Sequence, residues 1–214
     1  ANIAYGTHPR EVMDLFRAKT PRGSVLFIHG GYWRSFSKDI FSWVADAFLK
    51  NDLSVIVVNY PLCPEVTIAD IVSSVQKAVC ALVQSHLTAA ELSQFVVAGH
   101  SAGGYLAAAL AATDWQAHGL TGHPFKGAVP VSGVFDVRAL LNTSINEQLM
   151  LTRALADHLN LLAQSPRDLC PIAPFFGAEE SSEFCRHSLD LSRLWPKTKP
   201  AVGITGRHHF DVIE

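Results

Sequence analysis

The 214-residue chain is poor in charge. Charged side chains make up 17% of it, and 17 Lys and Arg against 19 Asp and Glu leave a net charge of −2. Binding to a nucleic-acid backbone requires a basic surface, so this balance argues against a nucleic-acid partner. In contrast, 49% of the residues are hydrophobic, a content that excludes a disordered chain. We therefore predict one globular domain over residues 1–214 with a sizeable core.

Cysteine is scarce and long apolar runs are missing. The four cysteines form no C-x-x-C pair and lie in or beside apolar stretches, as buried thiols in a reducing compartment would. No stretch of 18 uncharged apolar residues and no signal-peptide pattern occurs. We predict a cytoplasmic protein without a membrane partner. Because the chain starts without Met and ends just after the apolar pair Val212-Ile213, we expect its ends to be trimmed.

Short apolar runs bounded by Gly or Pro predict buried strands. Their apolar residues are continuous rather than alternating, which indicates strands that are covered on both faces. Helical patterns separate most of these runs, and alternation of strands and helices predicts a parallel sheet of the α/β class. Residues 136–162 are helical without a strand and predict a cap over the carboxyl ends of the strands. Strands are predicted at 11–16, 24–29, 54–59, 94–99, 127–132, 172–177 and 200–205, and helices at 36–50, 68–85, 102–112 and 180–195.

Residues 99–104, with the sequence GHSAGG, match G-x-S-x-G between a predicted strand and a predicted helix. In a sharp strand-to-helix turn the glycines allow close backbone approach and the serine hydroxyl is exposed, so Ser101 is a candidate nucleophile. An ordinary glycine-rich turn is the alternative. Residues 29–33, with the sequence HGGYW, end an earlier strand, where the N–H groups of Gly30 and Gly31 could bind a substrate oxyanion.

A serine nucleophile needs a base, and the base needs an orienting acid. Two adjacent histidines, His208 and His209, follow the last predicted strand, and both are candidates for the base. For the acid, the sequence leaves several carboxylates open. They are Glu179, Glu180 and Glu183 after the strand at 172–177, and Asp136 after the strand at 127–132.

These motifs together resemble those of kynurenine formamidases, small enzymes of the α/β-hydrolase superfamily. The resemblance runs from about Tyr5 to the C-terminus and implies an α/β-hydrolase fold, a mostly parallel twisted sheet with helices on both faces and a small helical cap. It implies Ser101 as nucleophile, His209 as base and Glu180 as acid, with an oxyanion hole from Gly30, Gly31 and Ala102. Many family members carry Asp at the acid position, so Asp136 stays an alternative to Glu180.

The resulting hypothesis is a serine hydrolase without cofactor or metal that acts on a small molecule. The resemblance implies N-formyl-L-kynurenine as the substrate, and a carboxylesterase or aryl-carbamate hydrolase is the first alternative. A hydrolase-fold binding protein without catalysis is the second, and a homodimer is a candidate assembly. Arg138 and residues 142–144 are candidates for holding a substrate carboxylate. An aromatic leaving group could stack on Tyr32, Trp33, Phe36, Tyr60 and Tyr105.

Overall fold

A mostly parallel β-sheet forms the centre of the structure, a computed structural model that describes residues 2–166 and 169–214. Its strands are β1 (Ile3–Ala4), β2 (Val12–Phe16), β3 (Gly23–Ile28), β4 (Leu53–Val58), β5 (Phe95–His100), β6 (Gly127–Val131), β7 (Phe175–Gly177) and β8 (Val202–Ile204). Over the described residues the strand order is β1-β2-β4-β3-β5-β6-β7-β8. The pairings of β1 with β2 and of β2 with β4 are antiparallel, and all later pairings are parallel. The predicted α/β class is thereby confirmed.

Helices connect the parallel strands. The α-helices are α1 (Ala45–Leu49), α2 (Ile68–Ala81), α3 (Ala89–Ser93), α4 (Ala102–Ala111), α5 (Asn146–Leu149), α6 (Arg153–His158) and α7 (Ser182–Leu194). Short 3-10 helices cover Lys38–Val44, Val137–Leu140 and Leu161–Ala163, and a π-helical turn covers Leu82–His86. Within the described residues, none of the helices is both long enough and apolar enough to cross a membrane.

The residues of the central strands β3, β4 and β5 are buried on both faces of the sheet, as their continuous apolar runs predict. Along β3, Leu26 and Ile28 belong to a large cluster that includes α2 and α4, whereas Val25 and Phe27 belong to a smaller cluster with α1. Successive side chains of a strand point to opposite faces, so one strand supplies both clusters. The carboxyl ends of β3, β5 and β6 consequently meet at one edge of a rigid sheet.

The strands at 172–177 and 200–205 are shorter than predicted. Pro174 and Pro200 have no N–H to donate, and regular pairing is confined to β7 and β8; Ile172 forms only isolated bridges. The predicted strand at 11–16 exists as β2, which pairs with β1 on one side and with β4 on the other.

The helical predictions differ from the structure mainly at their ends. The predicted helix at 36–50 is a 3-10 helix followed by the short α1. The helix α3 was not predicted, although Thr88 and Glu91 form a capping box at its start.

The segment 136–162 is helical, as predicted, but it consists of short pieces. Asn160 and Thr152 cap two of them with their side chains, and the segment packs against the large cluster through Leu149, Leu151 and Leu159. None of its residues lines the cavity that contains Ser101. A covering role over that cavity stays a prediction.

Candidate active site

Ser101 occupies a strained turn between β5 and α4. Its φ of 57° and ψ of −117° lie outside the regions that L residues normally adopt. A Cβ on Gly99 would collide with the carbonyl of Gly103, and a Cβ on Gly103 would collide with the carbonyl of Ile28. The two glycines of G-x-S-x-G are therefore required by the close packing of β5, α4 and β3, as the turn predicts.

The structure brings Ser101, His209 and Glu180 together from three separate segments of the chain. The Oγ of Ser101 lies 3.0 Å from Nε2 of His209, and Nδ1 of His209 lies 3.2 Å from Oε2 of Glu180. A carboxylate only accepts hydrogen bonds, so Nδ1 carries the proton in the neutral ring and Nε2 is free to accept the Ser101 proton. The three side chains thus have the mutual geometry that a nucleophile, a base and an orienting acid require.

Other groups hold the carboxylate of Glu180 in place. Its Oε1 accepts hydrogen bonds from Ser132 Oγ at 2.5 Å and from the Gly177 N–H at 2.7 Å, and its side chain is fully buried. Burial by itself would raise the pKa of Glu180, but the hydrogen bonds from His209, Ser132 and Gly177 outweigh it and lower the pKa below its ordinary value. Glu180 is therefore ionised and aimed at His209 at neutral pH.

The competing candidates from the sequence make other contacts, although Glu179 and His208 line the same cavity as Ser101. The carboxylate of Asp136 makes two hydrogen bonds with the Arg138 side chain, at 2.8 and 2.7 Å, and so the structure does not favour it as the partner of His209. Arg138 does not line the cavity that contains Ser101, so the structure does not place it where it could hold a substrate carboxylate. His208 lines the same cavity as Ser101, but its Nδ1 lies 3.3 Å from Asp211, and the ring nitrogen that contacts Ser101 Oγ belongs to His209. Residues 142–144 do not line the cavity that contains Ser101.

The loop after β3 is held beside Ser101. The φ of Gly31 is +109°, which favours glycine, and a Cβ on Gly30 would lie 2.9 Å from the carbonyl oxygen of His100. The Nδ1–H of the buried His29 donates to the Gly30 carbonyl at 2.7 Å, and the Tyr60 hydroxyl donates to the His29 carbonyl at 2.9 Å. Gly30 and Gly31 line the same cavity as Ser101. Ala102, the residue after Ser101, is the first residue of α4.

A cavity of about 700 Å³ opens over these groups, and we call it the Ser101 cavity. Ser101, His209 and Glu180 line it on one side. Its other walls are mainly apolar, and such a cavity suits a small, largely apolar ligand. The apolar lining residues include Phe36, Phe41, Phe184, Phe210 and Ile213, and Tyr32 lines it as well.

Three of the five aromatic residues predicted to stack on substrate do not line this cavity. Trp33 is 0% exposed and Tyr105 is 1% exposed, and the two rings pack edge to face at 5.3 Å between centroids. The Tyr105 hydroxyl donates to the carbonyl of Leu159. Both side chains belong to the core, which corrects the prediction that they stack on substrate. Tyr60 is also buried, against His29, whereas Tyr32 and Phe36 do line the cavity.

His100 is a site residue that the sequence analysis missed. Its Nε2–H donates to the carbonyl oxygen of His209 at 2.7 Å, so the residue before the candidate nucleophile anchors the loop of the candidate base. Burial, with a smaller contribution from the neighbouring His209, lowers the pKa of His100 to about 4. The sequence shows a histidine in G-x-S-x-G, but no pattern reveals which carbonyl it reaches. Ser132, which holds Glu180, gave no sequence signal either.

Buried His100 should make the fold sensitive to mild acid. A histidine in the unfolded chain binds a proton near pH 6.5, whereas folded His100 does so near pH 4. The unfolded chain therefore binds more protons between these values, and stability falls as pH drops through this window. At pH 5 the expected loss from His100 is about 2 kcal/mol.

Urea denaturation at pH 7 and pH 5 measures this loss. In His100→Gln, which keeps an N–H donor, the decrease in unfolding free energy between the two pH values should be about 2 kcal/mol smaller than in the wild type. The exposed His158 on α6 offers a matched control, since His158→Gln should retain the full decrease. An unchanged decrease in His100→Gln would refute the prediction.

No group of three or more His, Cys, Asp or Glu side chains suited to hold a metal ion occurs among residues 2–166 and 169–214.

The chain is similar in sequence to kynurenine formamidases of three animals. The kynurenine formamidase of Salmo salar is 29% identical over 230 residues, an alignment that covers 100% of this chain and 75% of that protein. The kynurenine formamidases of Danio rerio and Drosophila melanogaster are 28% and 24% identical, with the same coverage. The likeness to kynurenine formamidases seen in the motifs is thus confirmed over the full chain.

Solved structures agree on the fold. A candidate thioesterase from Silicibacter sp. TM1040 has a TM-score of 0.89 at 32% identity, covering 99% of this chain and 78% of that one. Esterase B of Lactobacillus rhamnosis has a TM-score of 0.75 at 19% identity, with 94% and 73% covered, and shows the fold alone. The family model of the alpha/beta hydrolase fold matches residues 25–189. The chain therefore belongs to the alpha/beta hydrolase family, as a hydrolase similar to kynurenine formamidases.

Proposed function

We propose that this hydrolase removes a formyl group from an arylamine, with N-formyl-L-kynurenine as the substrate and Ser101, His209 and Glu180 as the catalytic triad. The observation that carries the proposal is the pair of contacts at 3.0 and 3.2 Å that link the three side chains. The names of the three relatives support the choice of substrate.

In the first half of the reaction, Ser101 Oγ attacks the formyl carbon while His209 Nε2 takes its proton. The oxyanion that forms is stabilised by the backbone N–H groups of Gly30, Gly31 and Ala102, and each such donor typically contributes about 3 kcal/mol to the transition state. Glu180 stabilises the positive charge that develops on the His209 ring. His209 then protonates the nitrogen, the C–N bond breaks, and the arylamine leaves a formyl ester on Ser101.

In the second half, water replaces the arylamine. His209 takes a proton from the water, the hydroxide attacks the formyl ester, and the same backbone donors bind the second oxyanion. Collapse of this intermediate returns the proton to Ser101 and releases formate. The step requires no oxidant, metal or cofactor, so all of its acid–base chemistry can reside in the triad.

Formate release from N-formyl-L-kynurenine tests the substrate. We expect saturable release and a kcat/KM that exceeds the value for a p-nitrophenyl ester, because a site shaped for the formamide should stabilise its transition state better. The acetyl analogue of the same amine is the matched control, since it changes only the acyl group.

A kcat/KM that is much higher for the ester than for the formamide would overturn the substrate assignment and favour a carboxylesterase. The apolar walls of the Ser101 cavity make that alternative chemically coherent, because they would accept the hydrophobic part of an ester equally well. Activity on an aryl carbamate, measured in the same series, tests the alternative of an aryl-carbamate hydrolase.

A further inference from the structure

Arg34 is the one permanently positive side chain that lines the Ser101 cavity in the part of the chain that the structure describes. It lies in the loop of the candidate oxyanion-hole glycines. The backbone N–H groups of Arg34 and Ser35 both donate to the carbonyl of Gly31, at 3.1 and 3.0 Å. This tight turn keeps Arg34 close to Gly31, and so on the wall against which a bound substrate would lie.

The guanidinium of Arg34 pairs with no carboxylate among the described residues. Its Nη1 donates to Oε1 of Gln148 at 2.5 Å, and Gln148 is a neutral, exposed residue of α5. A guanidinium has five N–H donors, and this contact uses one of them. The remaining donors suffice for the pair of parallel hydrogen bonds with which arginine binds a carboxylate.

The charges of the cavity wall favour an anion beside Arg34. Arg34 is half-buried, whereas the carboxylate of Glu179 is on an exposed residue and is more strongly screened by water. The other carboxylate, that of Glu180, already accepts hydrogen bonds from the protein on both oxygens. Burial raises the pKa of Tyr32, and the positive charge of Arg34 opposes this increase. The charge of Arg34 thus acts on a hydroxyl that belongs to the same cavity wall.

The size of the cavity is compatible with an anionic group on the leaving group. Its volume of about 700 Å³ corresponds to roughly twenty water molecules at liquid density, far more than a formyl group occupies. The leaving group is therefore the part of the substrate that fills it. In N-formyl-L-kynurenine, the carboxylate carbon lies at most about 8 Å from the formyl carbon, because only a few bonds separate them. A carboxylate on that scale stays close to the cavity wall while the formyl carbon is at Ser101.

We propose that Arg34 binds the carboxylate of an amino-acid side chain on the aryl leaving group, while Ser101 attacks the formyl carbon. The inference rests on the proposed function and deepens it, because it names a residue that selects a charged leaving group. The ammonium group of the same side chain is opposite in charge to Glu179 in the same lining. Gln148 is a positioning residue, through which the segment 136–162 acts on a cavity that it does not line.

Paired substrates test the ion pair with Arg34. N-formyl-L-kynurenine and its carboxamide match in size, and only the acid carries the negative charge. The wild type should prefer the acid by about tenfold in kcat/KM, mainly through a lower KM. In Arg34→Gln this ratio should fall to about 1. Both substrates have the same formyl end, so a general disturbance of the loop would lower both rates and cancel in the ratio.

Arg22→Gln is the matched control for Arg34→Gln, since it removes the same charge from an exposed arginine that does not line the cavity. The side chain of Arg22 donates to the backbone carbonyl of Asn51, ahead of β4. This variant should retain the tenfold preference for the acid. An acid preference that persists in Arg34→Gln would overturn the proposal.

Gln148→Glu tests the same site without removing the arginine. It places a carboxylate of equal size where Arg34 already binds an oxygen, and this carboxylate should compete with that of the substrate. We expect the acid preference to fall below about threefold. Gln116→Glu adds the same charge at an exposed position beyond the far end of α4 and should retain the preference. An unchanged preference in Gln148→Glu would contradict the proposed contact.

Aryl acetates that carry either a carboxylate or a carboxamide side chain on the ring separate this inference from the proposed function. If the acetates show an acid preference that depends on Arg34 and the formamides are not cleaved, the formamidase assignment fails and the carboxylate site stands. If the formamides are cleaved without any preference that depends on Arg34, the carboxylate site fails and the formamidase assignment stands.

Discussion

Ser101→Ala should lower kcat for formate release by at least about 10⁴-fold, because no other group lies where Ser101 Oγ contacts His209 Nε2 at 3.0 Å. The residual rate should exceed that in water, since the backbone donors of Gly30 and Gly31 would still bind the oxyanion of a directly hydrated substrate. KM should change little, since the hydroxyl contributes mainly after binding. Single-turnover formate release with excess enzyme measures this loss.

The same experiment should show that Ser101 and His209 act as one unit. His209→Ala should cost about as much as Ser101→Ala, and the double variant should be no slower than either, as is typical of residues that share one step. Ser73→Ala, an exposed serine on α2, is the matched control and should keep full activity. Losses that multiply in the double variant would show that His209 acts independently of Ser101.

The sequence predicts the order of strands and helices because burial on both faces is visible in continuous apolar runs. The lengths of β7 and β8 are predicted less accurately, because Pro174 and Pro200 interrupt regular pairing within apolar segments. The small strand β1 has only two residues, too few for any periodicity. The local sequence pattern therefore predicts the central strands. The strands at the edges depend on which neighbouring segment has backbone N–H and C=O groups available for pairing, and the local pattern does not show this.

In the candidate site, too, the sequence predicts some residues and fails for others. Ser101 and the glycines around it follow a local motif, whose spacing is required by backbone contacts between adjacent elements. Trp33 and Tyr105 look equally suited to bind substrate in the sequence, but their rings pack against each other in the core. Whether an aromatic residue next to a motif faces the cavity depends on packing across distant segments, which a single sequence does not display.

Glu180→Gln should lower kcat by about 10³- to 10⁴-fold without unfolding the protein. Ser132 Oγ and the Gly177 N–H both donate to Oε1 of Glu180, so in the variant these donors will select the amide oxygen. The amide NH₂ group then faces Nδ1 of His209 and requires it to accept a hydrogen bond. That tautomer carries its proton on Nε2, and His209 can no longer take the proton of Ser101.

Asp136→Asn is the matched control for Glu180→Gln, since both replace a carboxylate by an amide of the same size. Because Asp136 binds Arg138 and not His209, its substitution should change kcat by less than about threefold and should cost at most about 1 kcal/mol of stability from a partly exposed ion pair. Thermal unfolding and kcat measured on the two variants assign the acid. A large loss in Asp136→Asn with activity retained in Glu180→Gln would reverse the assignment, whereas the opposite pattern would assign Glu180, which Ser132 and Gly177 hold toward His209, as the carboxylate that orients the base.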